Sequence, residues 1–191
     1  MLDARKSRIF VDVNSDAAHL PFASHCFDYL CSSHVLEHMP NTISVLEEWA
    51  RVLKPGGRLV LRLPHANRTF DRIRPKTTLE HHIKDSELSV DYSDPTHWEE
   101  WEDTVSKTDG HLWKDSARQK DGSFDFQYIV RRGLIHYHVW TQNEMVRLLQ
   151  YLDFTILVAL DRVLDDDISF LIIAEAPTRR DRHRPNERLT E

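Results

Sequence analysis

The sequence is short of glycine and cysteine and has no long apolar run. None of the five glycines among its 191 residues precedes Gly56. Two cysteines, Cys26 and Cys31, are too few for a disulfide framework or a thiolate metal site, and we expect both to be reduced core thiols. No apolar run approaches the roughly 18 residues of a membrane span, and the first residues are charged rather than apolar like a signal peptide. We therefore expect a soluble, cytoplasmic protein.

The charge is moderately acidic and unevenly distributed. A formal net charge of −6 argues against nucleic acid or an anionic membrane as a partner, because such binding depends on neutralising phosphates. Residues 65–84 carry five bases against two acids, whereas residues 85–125 carry twelve acids against four bases. This switch predicts an insertion with its own surface, and both a solvated exterior and a substrate-recognition region remain open.

Short apolar runs alternating with amphipathic segments predict an α/β fold. Strands are predicted at residues 8–13, 27–32, 58–63, 154–160 and 168–174. Helices are predicted at residues 41–53, where Ser44 and Glu47 fit a capping box, and after Thr141, where Thr141 and Glu144 form another. Strands that alternate with a helix over short loops favour parallel pairing, with helices on the faces of the sheet.

Four segments follow from this pattern. Residues 1–64 and 136–177 form the core, residues 65–135 form an inserted cap with helices near 78–84 and 96–105, and residues 178–191 form a disordered tail. The stretch Asp165 to Asp167 is typical of a solvated turn between the last two strands.

One short motif points to a different chemistry. His34, Glu37 and His38 spell the H-x-x-E-H pattern of inverted zinc peptidases. Met39 and Pro40 end any helix almost at once, and two ligands four residues apart need a longer rigid helix. We therefore predict no metal site.

Larger motifs resemble a known enzyme family. The relevant blocks are Asp16-Ala17-Ala18-His19-Leu20-Pro21-Phe22, Cys26-Phe27-Asp28-Tyr29, Ser33-His34-Val35-Leu36-Glu37-His38 and Arg51-Val52-Leu53-Lys54-Pro55-Gly56-Gly57-Arg58-Leu59. In order and spacing they are similar to the class I S-adenosylmethionine-dependent methyltransferases of the methyltransferase-11 group. The resemblance covers residues 3–64 and 141–176. It implies a partial Rossmann-like sheet, mostly parallel, with an antiparallel strand pair near the C-terminus and S-adenosyl-L-methionine as the cofactor.

The resemblance assigns cofactor-binding roles to six residues. Asp16 matches the acid that binds the adenine amino group in this family, and Ala17 matches its neighbour. Asp3 matches the acid that holds the ribose hydroxyls. The remaining three match the end of the family's fourth strand, beside the methionine moiety: Ser32, Ser33 and His34. This placement fits the rule that ligands of open α/β sheets bind beyond the carboxyl ends of the strands.

The family's glycine-rich loop and its first strand and helix have no counterpart in this sequence. The resemblance therefore implies an N-terminally truncated relative. Two interpretations stay open. The chain is either part of a working methyltransferase, or a non-catalytic remnant that acts as a binding or partner module, for which a homodimer is one arrangement.

The middle of the chain resembles a narrower set of these methyltransferases, which are associated with surface-glycan assembly. This resemblance implies O-methylation of a sugar-like or anionic small molecule. A hydroxyl acceptor needs a general base, and histidine titrates in the useful range. The candidates are His65, Asp71, His136 and His138, each of which also has a structural interpretation as a cap, an ion-pair partner or a buried hydrogen-bonded group.

Overall fold

The computed structural model describes residues 11–105, 119–121 and 125–178. Its strands are β1 (Phe27–Ser33), β2 (Leu53–Pro64), β3 (Thr155–Leu160) and β4 (Ser169–Glu175). Its α-helices are α1 (Thr42–Val52), α2 (Leu79–Glu87), α3 (Thr96–Val105), α4 (Phe126–Arg131) and α5 (Gln142–Tyr151). Short 3-10 helices cover Leu36–His38, Ala66–Arg68 and Phe70–Ile73.

The four strands form one sheet in the order β1-β2-β4-β3. β1 pairs with β2 in parallel, while β4 runs antiparallel to both β2 and β3. Three strands therefore point in one direction and β4 in the other. This mixed sheet confirms the predicted α/β class, mostly parallel in direction with an antiparallel pair at the C-terminal end.

The centre of the core lies on β2 and the helices that cover it. Leu59, Leu61 and Leu63 alternate along β2 and are fully buried, as expected for one face of a strand. α5 covers the same core through Met145 and Leu148. The capping box predicted at Thr141 and Glu144 is present at the start of α5, which confirms that helix.

The start of α1 differs from the prediction. Asn41, not Ser44, caps the helix, and its side chain accepts a hydrogen bond from the backbone N–H of Ser44 at 3.0 Å. The predicted capping box at Ser44 and Glu47 is therefore wrong. A good cap three residues earlier offers the same kind of hydrogen bond and lengthens the helix by three residues.

The chain turns directly from α1 into β2. We expected a turn at residues 54–57 and a strand from Arg58, but β2 already begins at Leu53. Gly56 has φ +74°, a left-handed conformation that glycine adopts at little cost. The pairing of β1 with β2 shifts register between Phe27 and Tyr29, which accommodates the irregular start of β2.

The inserted segment packs in two ways. α2 contributes Ile83 to the main core and lies against α1. A second, smaller core gathers Trp101, Ile129, Ile135 and Tyr137. The boundaries predicted for a separate cap at 65–135 remain a prediction.

Several expectations concern the exposed parts of the chain. Residues 11–13 are irregular rather than a strand, and Val11 is 72% exposed. Cys26 and Cys31 are free and exposed, so the prediction that they are core thiols is wrong. Cys31 lies on β1, an edge strand of the described sheet, and Cys26 directly precedes that strand. Residues 1–10 and the predicted tail from residue 179 lie outside the described residues. No helix in the described ranges has the length and apolar character needed to cross a bilayer.

Candidate functional site

A cavity of about 410 Å³ lies along β1 and the loop before it. Three of its lining residues, Ala17, Ser32 and Ser33, are ones that the sequence assigned to the cofactor. The rest of the lining is mostly apolar and aromatic, including Phe22, Tyr29, Val35 and Trp49. A few polar groups in an apolar cavity of this volume are typical of small-molecule sites.

Side chains of α1 fix the loop that forms one wall of this cavity. The indole N–H of Trp49 donates to the carbonyl of Ala17 at 3.0 Å. Arg51 donates to the carbonyls of Leu20 at 3.1 Å and Phe22 at 2.8 Å. Glu48 accepts from the backbone N–H of Leu20 at 2.8 Å. The loop is therefore held in one conformation.

Asp16 lies directly before the cavity-lining residue Ala17. Its carboxylate accepts a hydrogen bond from the backbone N–H of Ala18 at 2.8 Å. It also interacts with the Tyr92 hydroxyl, and burial together with the Asp16 charge raises the pKa of Tyr92. The partner Tyr92 comes from the segment between α2 and α3, so that segment reaches the residue predicted to bind adenine. Asp3 lies outside the described residues.

His34 follows β1 in a strained backbone conformation. Its φ of 52° is left-handed, which is uncommon for a residue other than glycine. Its Nε2 atom lies 2.7 Å from Oγ of Ser169, and its Nδ1 atom lies 3.6 Å from Oε1 of Glu37. Burial lowers the pKa of His34. Strain of this kind is concentrated at functional sites, because the surrounding structure must impose it.

Two of the predicted bases, His136 and Asp71, form a close pair. Nδ1 of His136 lies 2.6 Å from Oδ2 of the buried Asp71. Arg74 donates to the other oxygen of Asp71 at 3.0 Å and to the carbonyl of His136 at 2.8 Å. Burial alone would raise the pKa of Asp71, but the hydrogen bond and charge of His136, together with Arg74, outweigh it and hold the pKa below its ordinary value. Asp71 therefore stays ionised and orients the ring of His136.

Glu37 and His38 lie beside this pair. The His38 ring packs edge-on against His136 with the ring centres 4.9 Å apart. Glu37 is fully buried, and its carboxylate oxygens have no hydrogen-bond partner among the described residues, although Nε2 of His38 lies 3.7 Å away. Burial raises the pKa of Glu37 to about 7 and lowers that of His38 to about 4. Sequence reasoning missed both residues, since only their burial distinguishes them.

The two histidines of the H-x-x-E-H pattern have different hydrogen-bond partners, although one ring nitrogen of each also lies 3.6 or 3.7 Å from Oε1 of Glu37. Nε2 of His34 bonds to Ser169, whereas Nδ1 of His38 bonds to the carbonyl of Ile135 at 2.8 Å. The helix that carries the pattern, Leu36–His38, is a single 3-10 turn. The side chains that do converge are Glu37, His38 and His136, whose nearest ligand atoms lie within 4.8 Å of one another. The expectation that the pattern holds no metal stays a prediction.

The other two predicted bases lie apart from His136. His65 caps the 3-10 helix Ala66–Arg68 by accepting from the backbone N–H of Asn67 at 3.2 Å, and its Nε2 lies 3.2 Å from Asp161. His138 is buried beside Asp85, with Nε2 of His138 2.9 Å from Oδ2 of Asp85. The catalytic roles predicted for these two histidines remain predictions.

Comparison with known proteins identifies the class of the first third of the chain. Residues 1–61 match the family described as methyltransferase domain. This match confirms the predicted resemblance to the class I S-adenosylmethionine-dependent methyltransferases for that segment.

Individual relatives match the same segment. A demethylmenaquinone methyltransferase of Mycobacterium sp. (strain KMS) is 44% identical over 61 residues, which are 32% of this chain and 26% of the relative. The methyltransferase GfsG of Streptomyces halstedii is 43% identical over 56 residues, which are 29% of this chain and 20% of the relative. The matched segment thus spans about a quarter or less of these relatives.

Solved structures with a similar fold include two methyltransferases. An S-adenosylmethionine-dependent methyltransferase of Methanosarcina mazei has a TM-score of 0.47 at 21% identity, over 86% of this chain and 66% of its own. The 1,6-didemethyltoxoflavin-N1-methyltransferase of Burkholderia thailandensis has a TM-score of 0.45 at 14% identity, over 86% of this chain and 50% of its own.

Proposed function

We propose that the protein is an S-adenosylmethionine-dependent methyltransferase that uses His136 to deprotonate a hydroxyl of a small-molecule acceptor. The buried pair of His136 and Asp71, 2.6 Å apart, carries this proposal. A histidine held by an ionised carboxylate is the usual arrangement of a general base, because the carboxylate fixes the tautomer and stabilises the protonated ring.

The residues at β1 fit the cofactor. The cavity lined by Ala17, Ser32 and Ser33 has the volume of a small-molecule site, and Asp16 stands next to it with a carboxylate that accepts from N–H groups. When bound, S-adenosylmethionine supplies a methyl group on a positively charged sulfur, which a nucleophile displaces. The protein's task is then to align the acceptor and to remove its proton.

The geometry of His136 defines that proton's destination. Since Nδ1 faces Asp71, the proton of the hydroxyl goes to Nε2. The ring is held between Phe70, with ring centres 4.7 Å apart, and His38. Packing on both sides fixes the direction of Nε2, which is what an efficient base requires.

We infer the class of the methyl acceptor from the proposed base and from the resemblance of residues 65–135 to methyltransferases of surface-glycan assembly. A general base favours oxygen acceptors, and the resemblance favours O-methylation in glycan assembly. An anionic acceptor would call for free basic side chains, but two arginines of the insertion have acidic partners: Arg74 is buried against Asp71, and Arg68 pairs with Asp161 at 2.9 Å. We therefore favour a sugar-like hydroxyl over an anionic group as the feature recognised.

Calorimetric titration of S-adenosylhomocysteine into the purified chain tests the proposal. We expect binding that Asp16→Asn weakens at least about tenfold, a loss of roughly 1.4 kcal/mol. Asp12→Asn is the matched control, since Asp12 is an exposed acid four residues away. Absence of binding by a folded chain would overturn the proposal and favour a non-catalytic module.

A further inference from the structure

Three histidines and an aspartate converge at a point that the proposed reaction does not use. His81 and Asp85 lie one turn apart on α2, His97 lies in the first turn of α3, and His138 lies in the segment before α5. The nearest ring nitrogens of the three histidines and a carboxylate oxygen of Asp85 all lie within 4.8 Å of one another. We refer to these four side chains as the His81 cluster.

The distances within the His81 cluster are those of metal ligands. Oδ2 of Asp85 lies 3.2 Å from Nε2 of His81, 3.3 Å from Nε2 of His97 and 2.9 Å from Nε2 of His138. Ligands of a tetrahedral zinc ion, with bonds of about 2.0–2.1 Å, lie about 3.3 Å from one another. Three distances from Asp85 and the 2.9 Å between His81 and His97 are close to this value, and the other pairs of ligand atoms lie within 4.8 Å, so modest movements would suffice for tetrahedral coordination.

One contact in the cluster requires an unprotonated nitrogen. Nε2 of His81 and Nε2 of His97 face each other at 2.9 Å. Two N–H groups cannot face each other at this distance, so at least one ring presents its lone pair. A bound cation would coordinate one lone pair from each of the three rings, so neither His81 nor His97 would need to point an N–H group at the other.

Neighbouring hydroxyls orient the rings as outer partners of metal ligands do. Oγ1 of Thr42 lies 3.1 Å from Nδ1 of His138, and Oγ1 of Thr96 lies 3.3 Å from Nδ1 of His97. These contacts leave the Nε2 atoms directed at Asp85. The adjacent His82 does not belong to the set, because its Nε2 accepts from the indole of Trp140 at 2.9 Å.

Burial and charge also suit a cation. The side chains of His97 and His138 are almost fully buried, whereas that of His81 is 41% exposed, which leaves a way in from solvent. Asp85 supplies one negative charge, and Asp94 interacts electrostatically with both Asp85 and His97. Imidazole ligands with one carboxylate favour zinc and related divalent transition metals over magnesium or calcium.

We propose that His81, Asp85, His97 and His138 bind one divalent transition-metal ion, zinc by preference. Four protein ligands fill a tetrahedral shell, which is typical of structural rather than catalytic sites. The ion would link α2, α3 and the segment that carries His136. Its role is to fasten the insertion to the core beside the base.

The test is titration of the chelator-treated full chain with Co²⁺, followed by displacement with Zn²⁺. We expect one Co²⁺ per chain with the visible absorption of four-coordinate cobalt, and a higher Tm when zinc is bound. His81→Gln should weaken binding by more than the roughly 10- to 100-fold that loss of an outer partner costs. His81 is the most exposed of the ligands, so this variant leaves the buried part of the cluster in place.

Three further variants make the result decisive. Thr42→Val should weaken binding about 10- to 100-fold through His138 without removing a ligand. His19→Gln, at an exposed histidine, should bind like the wild type. Loss of binding in His38→Gln with retention in His81→Gln would place the ion elsewhere and overturn the proposal. A folded wild-type chain that takes up neither Co²⁺ nor Zn²⁺ would also overturn the proposal. If His81→Gln fails to fold, the affinity of Thr42→Val for the metal takes its place as the test.

Discussion

His136 and Asp71 meet at 2.6 Å although 65 residues separate them in the sequence. Arg74 joins them by binding Asp71 and the carbonyl of His136 with the same guanidinium nitrogen. The arrangement ties the segment after β2 to the segment before α5. It places the proposed base next to His38 and Glu37, in the 3-10 turn that follows β1 and the cavity-lining serines.

Replacement of the proposed base, His136, should greatly slow turnover without affecting cofactor binding. We expect His136→Asn to lower kcat about 10²- to 10⁴-fold, the usual contribution of a positioned base. The measurement is release of S-adenosylhomocysteine in the presence of a pool of hydroxyl-bearing sugar acceptors. His25→Asn is the matched control, because His25 is an exposed histidine that does not line the cavity and was not among the predicted bases.

The calorimetric Kd for S-adenosylhomocysteine separates the base from the fold. His136→Asn should bind as tightly as the wild type, since His136 is not among the cavity-lining residues. Equal kcat for His136→Asn and wild type would exclude His136 as the base. A shared loss of kcat and cofactor affinity would instead indicate a structural role.

Arg74 should be important for stability. Its side chain is fully buried, and its loss leaves the charge of Asp71 with one partner fewer inside the protein. We expect Arg74→Met to lower the free energy of unfolding by about 3–5 kcal/mol, as for other broken buried ion pairs. Urea denaturation measures the change. Arg72→Met, at an exposed neighbour, should change it by less than about 0.5 kcal/mol; similar values for the two variants would refute the role of Arg74.

Glu37 should make stability depend on pH between about 4.5 and 7. Burial raises its pKa from 4.5 to about 7, so the folded chain keeps a proton in this range that the unfolded chain releases. Stability from this group therefore falls as the pH rises through that range, by at most about 3 kcal/mol. Burial lowers the pKa of His38 from 6.5 to about 4, so the contribution of His38 to stability rises with pH between these two values.

Comparison of variants isolates the contribution of Glu37. Glu37→Gln, which mimics the protonated acid, should be more stable than the wild type at pH 8 and equally stable near pH 4. Urea denaturation at both pH values gives the difference, from which the contribution of His38 largely cancels. Glu87→Gln, at an exposed acid, should show no such trend. A difference between Glu37→Gln and wild type that is the same at both pH values would contradict the buried-acid explanation.

Local signals in the sequence predicted local structure well. The capping box at Thr141 and Glu144 is a property of four consecutive residues, and the helix that it predicts is present. The alternation of leucines likewise identified the middle of β2. At α1, two good caps three residues apart competed, and only the folded chain shows that Asn41 is the one used.

Long-range contacts were the part that the sequence could not supply. His136 and Asp71 were both chosen as bases by residue type, but nothing in the sequence paired them. His138 was chosen for the same reason, and only the folded chain shows that it lies against Asp85 of α2. The burial of Glu37 also depends on tertiary packing, so its raised pKa has no signature in the motif that contains it.

The loop beside the cofactor cavity should depend on Arg51. This residue lies on α1, forms an ion pair with Glu48 at 2.6 Å, and donates to the carbonyls of Leu20 and Phe22. Arg51→Met keeps the length of the side chain but removes these donors, so the loop gains freedom that cofactor binding must then remove. We expect the Kd for S-adenosylhomocysteine to rise about tenfold.

The matched control for the loop is Arg58→Met. Arg58 also forms an ion pair on the surface, with Glu175, and its side chain donates to the carbonyl of Gly56; neither of these partners lines the cavity. It should bind S-adenosylhomocysteine like the wild type in the same calorimetric titration. If Arg51→Met also binds with unchanged affinity, the hydrogen bonds from α1 do not organise the loop for binding, and its conformation is set by Trp49 and the packing of the loop itself.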